Sequence, residues 1–149
     1  MRIAWIGSRK TRTLRNRILK KGLIENNVEI VDFSIPAEFS PYTSKPRLAT
    51  DVFLRFLKSL SMNFNSLKPS DCEFILCTYP SQDILPLIYP LLKKTKTPIV
   101  FDPFISVYYS YTQDYDLLNP KSLPARFLYA WEQQALKHPN LVLAETNVM

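Results

Sequence analysis

The sequence predicts an α/β domain: one parallel sheet of five strands with helices on both faces. Three observations predict it. Strand-length apolar runs recur at Ile3–Ile6, Val28–Phe33, Phe74–Cys77, Pro98–Phe101 and Leu141–Ala144. Each run is nearly continuous in apolar residues, the pattern of a strand covered on both sides rather than one. Segments of helical periodicity alternate with the runs, and that alternation implies right-handed crossovers between parallel strands.

Taken in order, Ile3–Ile6 is the first strand and Gly7-Ser8-Arg9-Lys10-Thr11-Arg12 is the loop that leaves it. Thr13–Glu25 follows as a helix, with Leu14, Ile18 and Leu23 on one side and Arg15, Arg17, Lys20 and Lys21 around them. After the second strand, Val28–Phe33, comes a Pro- and Ser-containing insertion, Ile35–Lys45. Thr50–Leu67 reads as a helix: Val52, Phe53, Phe56, Leu57 and Leu60 fall at helical spacing, and Asp51 sits near the start, where the dipole favours an acid. The third strand, Phe74–Cys77, leads through Thr78-Tyr79-Pro80-Ser81-Gln82-Asp83 into Gln82–Lys94. That helix carries Pro86 and Pro90, each lacking an amide donor, so a kink or break is expected; Ser81 or Asp83 is the expected cap. Pro98–Phe101 is the fourth strand. Ser122–His138 is the last helix, with Leu123, Phe127, Leu128 and Trp131 expected to face inward, and Leu141–Ala144 closes the sheet.

Composition narrows the function classes. The 149 residues, 46% of them apolar, suffice for one domain with its own core. The net charge of +6 fits either an anionic partner or a merely solvated basic surface. Only two glycines occur, Gly7 and Gly22, too few for a G-x-G-x-x-G fingerprint and too far apart, with no Gly-Lys, for a Walker A loop. Any phosphate contact must then come from a helix N-terminus and side chains. The two cysteines, Cys72 and Cys77, match no zinc spacing and no disulfide framework, which reads as a reduced, cytoplasmic protein. No run is long enough to span a bilayer, and the apolar part of the N-terminus is too short for a signal peptide.

In an open parallel sheet, ligands bind beyond the carboxyl ends of the strands. Asp102 stands at the carboxyl end of the fourth strand, where a carboxylate can meet a ligand hydroxyl or cap the following turn. Beyond it lie Ser106, the tyrosines Tyr108, Tyr109, Tyr111 and Tyr115, and the acids Asp114 and Asp116. The tyrosines suit a core, a sugar-stacking surface or hydroxyl recognition; three acids beside them argue against nucleic acid. The first loop, Ser8 to Arg12, with Arg15 behind it, could direct amides, a helix dipole and guanidinium groups at a phosphate, or could be a plain basic face. The single histidine, His138, fits the end of a helix, and one His with two Cys does not make a metal centre.

Two segments carry a family resemblance. Lys96–Asp114, with Thr97-Pro98-Ile99-Val100-Phe101-Asp102-Pro103 and Ser106, and Ser122–Thr146, with Ala125, Arg126, Leu128 and Tyr129 leading to Leu143-Ala144-Glu145-Thr146, resemble the N-terminal domain of GT-B glycosyltransferases of the family 4 type. Met1-Arg2-Ile3-Ala4-Trp5-Ile6-Gly7 is similar to their first strand. The resemblance implies a Rossmann-like acceptor-side domain over residues 1–149, with the nucleotide-sugar domain absent. It implies a role in hexosyl transfer to a lipid or glycan acceptor, with the nucleotide-sugar engaged only alongside a second domain or chain. It places Asp102, Ser106, Tyr109 and Asp114 at the acceptor, and Ser8, Arg9, Lys10, Arg12 and Arg15 at a phosphate or an anionic membrane. It names no catalytic residue, metal, cofactor or nucleic acid, and it suggests a cytoplasmic protein peripheral to the inner membrane face. The chain departs from the family in reducing the first loop's glycines to Gly7, in having Glu132 as the acid of the last helix, and in carrying Pro139-Asn140 before the last strand. A non-catalytic module of the same fold, bound to an anionic membrane or a partner chain, is the alternative.

Overall fold

The computed structural model describes residues 1–7, 13–33 and 71–144. Expectations for the Ser8–Arg12 loop, the Ile35–Lys45 insertion and the Thr50–Leu67 helix lie outside the described residues. Five strands form one parallel sheet: β1 (Arg2–Ile6), β2 (Glu29–Asp32), β3 (Phe74–Thr78), β4 (Ile99–Asp102) and β5 (Leu141–Val142), in the order β2-β1-β3-β4-β5. The order reverses direction between β1 and β3. That is the topological switch point, where the carboxyl ends of a doubly wound sheet leave a crevice.

The strands form because their side chains find cover on both sides. Ala4, Ile6, Ile75, Cys77, Ile99 and Phe101 point to one face, and Ile3, Trp5 and Leu76 to the other. The first face is covered by α2 (Leu85–Lys94) and α3 (Leu123–Lys137), which add Leu85, Ile88, Leu92 and Ala135. The second is covered by α1 (Leu14–Glu25), through Leu19 and Leu23. Right-handed crossovers demand this arrangement: the chain moves one way across the sheet from β1 to β2 and the other way from β3 to β5, so the helices change sides. Cys77 is fully enclosed, and burial pushes its thiol up to about 12.

Helix faces differ from the periodicity reading in two places. Leu14 and Ile18 are exposed on α1; its inward line is Asn16, Leu19 and Leu23, spaced at i, i+3 and i+7. On α3, Leu123 and Phe127 are exposed and Trp131 is half-buried, stacked on Phe127; Ala125, Glu132 and Ala135 face inward. Small residues let α3 lie close to the sheet, and a polar residue occupies a core position on each helix because a specific partner waits there. Hydrophobicity alone places Leu23 correctly but misassigns Leu14, Ile18, Leu123 and Phe127.

The proline-bearing segment divides ahead of its prolines, and the helix runs on through Pro90 without the expected break. A short 3-10 turn, Ser81–Asp83, ends before α2, and the break falls at Ile84. Pro86 sits in the first turn, where no amide donor is required, and Pro90 lies inside the helix. Ile84 is the N-cap with no side-chain bond, and the Ser81 hydroxyl is buried without a hydrogen-bond partner among the described residues; the expectation for the Asp83 side chain lies outside what the structure describes. His138 caps the end of α3 with its ring stacked 4.1 Å from Tyr89, and burial together with Lys93 lowers its pKa.

Candidate functional site

Strand register brings the site together. Thr78 of β3 is paired with Asp102 of β4, and Ile6 with Cys77, so Gly7 comes alongside Thr78. Alternation of side chains puts Trp5, Thr78 and Asp102 on the face that α1 covers. Gly7, Thr78 and Asp102 thus make a row across three strands at the carboxyl edge, beneath the N-terminal turn of α1. Gly7 is required there: a Cβ would run into Oγ1 of Thr78 and stand 3.0 Å from Nε1 of Trp5.

Helix α1 is held over this row by its own first turn. Thr13 is the N-cap, its hydroxyl accepting from the Asn16 amide. Asn16, 1% exposed, donates from Nδ2 to the Tyr79 carbonyl at 2.7 Å. Arg15 donates from Nε to Oδ2 of Asp102 at 2.9 Å, an ion pair between residues 87 apart in sequence. Asp102 itself is 1% exposed. An acid so enclosed needs a charged partner, and Arg15 supplies it. Asp102 therefore does not cap the turn that follows it.

The loop after β4 forms one wall. Gln82 donates to the carbonyls of Pro103 and Ile105, at 3.4 and 3.0 Å, on either side of Phe104. Phe104 has φ of 63°, in the left-handed region that a bulky side chain occupies only when its neighbours impose it. Its ring lies 5.6 Å from the Arg15 guanidinium and meets Tyr79 edge-on at 5.9 Å. A cleft of about 650 Å³ opens here, lined by Thr13, Leu14, Arg15, Ile18, Leu19, Asp102, Phe104 and Leu143.

Four polar atoms at this edge are buried without a hydrogen-bond partner among the described residues: Trp5 Nε1, Asn16 Oδ1, Thr78 Oγ1 and Asp102 Oδ1. Buried polar atoms are nearly always paired, and leaving one unpaired costs about 1–3 kcal/mol. Two acceptors, one donor and one hydroxyl left open in one place are what a site for water or a ligand hydroxyl looks like.

The residues expected at the acceptor separate. Asp102 and Arg15 meet in the cleft. Ser106 instead donates to Oε2 of Glu132 at 2.7 Å and accepts from the Tyr109 amide at 3.1 Å, capping a helical turn at Val107–Tyr109. Glu132 also accepts from the amides of Val107 and Tyr108, at 2.8 and 3.3 Å. The Ser106 hydroxyl is thus taken up in structure and not offered to a ligand. Tyr109 is 54% exposed and packs edge-on against Tyr108, and Asp114 is exposed at the end of the π-turn Ser110–Asp114. Of the basic set, Arg15 is turned to Asp102, while Ser8, Arg9, Lys10 and Arg12 lie outside the described residues.

Asn16, Thr78 and Trp5 were not singled out by the sequence. A signal for the first existed: an amide at the first position of the inward line of α1. Thr78 ends β3 as Asp102 ends β4, but only the register reveals that they adjoin. Among the described residues no group of acids, histidines and cysteines could hold a metal ion, and no helix is long and apolar enough to cross a membrane. No family model, curated protein or solved structure matches this chain.

Proposed function

We propose that these residues form the acceptor-binding side of a sugar-nucleotide-dependent glycosyltransferase that transfers a hexosyl group. One observation carries the reading: a carboxylate 1% exposed at the carboxyl edge of a doubly wound sheet, with Oδ2 held by Arg15 and Oδ1 buried without a hydrogen-bond partner among the described residues, on a residue that lines a cleft. A hydroxyl donating to Oδ1 would be fixed in direction by a base that cannot itself move, which is what an acceptor needs before attack on a sugar carbon. The resemblance of the Thr97–Ser106 and Ser122–Thr146 segments to family 4 enzymes supports the same assignment. In this reading the donor diphosphate is stabilised by a second Rossmann-like unit, on the same or another chain, and Arg15 serves Asp102 and not the phosphate.

The test is reconstitution. The protein is captured from its native cells, proteins that co-purify stoichiometrically are identified, and hexosyl transfer from labelled nucleotide-sugars is measured on the assembly. Asp102→Asn should lower kcat/KM for the acceptor about ten- to a hundredfold, the scale of one hydrogen bond to a charged group. Transfer indifferent to Asp102, or no transfer by the assembly, sinks the reading.

One observation favours a non-catalytic module on an anionic membrane at the cytoplasmic face. Leu14, Ile18 and Ile24 are exposed on α1 beside exposed Arg17 and Lys21, apolar and basic side chains that an anionic surface would cover together. Sedimentation with anionic vesicles that is lost in Arg17→Glu/Lys21→Glu, in a protein that supports no transfer, would favour it.

A further inference from the structure

The walls of the cleft say more about its ligand than the carboxylate does. Its two charged lining residues, Arg15 and Asp102, are bonded to each other, so the described lining carries no net charge to hold a phosphate. Five of the remaining lining residues are apolar: Leu14, Ile18, Leu19, Phe104 and Leu143. Leu14 and Ile18 are 66% and 61% exposed, apolar surface for which a ligand would be a cover. A many-hydroxyl glycan laid along these walls would lose its water without gaining partners. A wholly apolar ligand would leave the unpaired oxygen of Asp102, the lining residue of the polar row, unmet. The volume, about 650 Å³, is within the usual range for small-molecule sites.

We infer that the cleft takes a neutral amphiphile, with a hydroxyl-bearing head donating to Asp102 Oδ1 at the Gly7–Thr78–Asp102 row and an aliphatic body along Leu14, Ile18, Phe104 and Leu143. This rests on the acceptor reading above and narrows its acceptor to an uncharged, lipid-like alcohol. Asp102 is the hinge of the argument, being the one residue shared by the polar row and the cleft.

The experiment is titration calorimetry of the full chain with n-octyl β-D-glucoside below its micelle concentration, with free glucose, and with octyl phosphate. The amphiphile should bind more tightly than either of the others by about tenfold or more, because only it covers the apolar wall and satisfies the acid. Ile18→Asp should weaken it at least about fivefold without moving the melting temperature, since Ile18 lies on the surface. Asp102→Asn should weaken both sugars. Glucose binding as tightly as the amphiphile, still dependent on Asp102, overturns the amphiphile and leaves the acceptor reading standing. Octyl phosphate binding best overturns the neutral head. Amphiphile binding that ignores both substitutions is detergent adsorption and overturns the site. No Asp102-dependent binding of either sugar removes this inference and the acceptor reading together.

Discussion

Two enclosed carboxylates, Asp102 and Glu132, sit within the same half of the molecule and end in opposite conditions. Glu132 accepts from the Ser106 hydroxyl and from the amides of Val107 and Tyr108, and neither of its oxygens is left over. Asp102 accepts from Arg15 on one oxygen, while the other is buried and open, next to three further open polar atoms. The first arrangement is a fastening: it joins the loop after β4 to α3. The second has one capacity unspent and a cleft beside it. The difference teaches that burial of an acid does not mark a site; unpaired capacity does.

The largest expected effect breaks the fastening. Glu132→Ala leaves two amides and a hydroxyl without their acceptor, and should lower unfolding free energy by about 3 kcal/mol in urea titration. A loss under about 1 kcal/mol would mean that water replaces the carboxylate and that the two acids are not so different.

An intermediate effect sharpens the other side of the comparison. Gly7→Ala drives a methyl into Thr78 Oγ1 and should cost about 1–3 kcal/mol as overpacking. Adding Thr78→Ala should restore much of that loss, with a coupling of about 1 kcal/mol or more in the double-mutant cycle. Additive losses would show that Gly7 is needed for its backbone and not for the space over it.

The effect that is smallest near neutral pH is set by alkali, away from both acids. The Cys77 thiol ionises near 12 when folded against an ordinary 9.0, so the unfolded chain loses its proton first. Its contribution is fully present below about pH 9 and is lost progressively between about 9 and 12. Denaturation midpoints for Cys77→Ala should therefore fall less steeply across that window than those of the unchanged protein. Equal slopes would indicate that other groups dominate the alkaline decline.

The sequence made the sheet legible and the site only partly so. Strands buried on both sides leave continuous apolar runs, and all five were readable to within a few residues. Helix faces were not, because exposed Leu123 and Phe127 outweigh inward Ala125 and Glu132 on any hydrophobic scale. Asp102 was visible as the polar end of an apolar run. Its meaning depended on Arg15, Thr78 and Gly7, which are remote in sequence and adjacent only through strand register. Ser106 illustrates the opposite error. Its hydroxyl looked available because the group that occupies it lies 26 residues further along. Hydroxyls beside a strand end are equally good caps and ligands by type, and only the partner decides.

The ends of the sheet bear on how the protein behaves in company. β5 pairs through only two residues, and Asn140 extends that pairing: its side-chain Oδ1 accepts from the Ile99 amide at 2.8 Å while its backbone amide donates to the Ile99 carbonyl at 2.9 Å. At the opposite margin, β2 is four residues long and bracketed by Glu29 and Asp32. A neighbouring molecule seeking to add its own strand meets a stub on one flank and acids on the other. Among the described residues, such margins discourage edge-to-edge pairing.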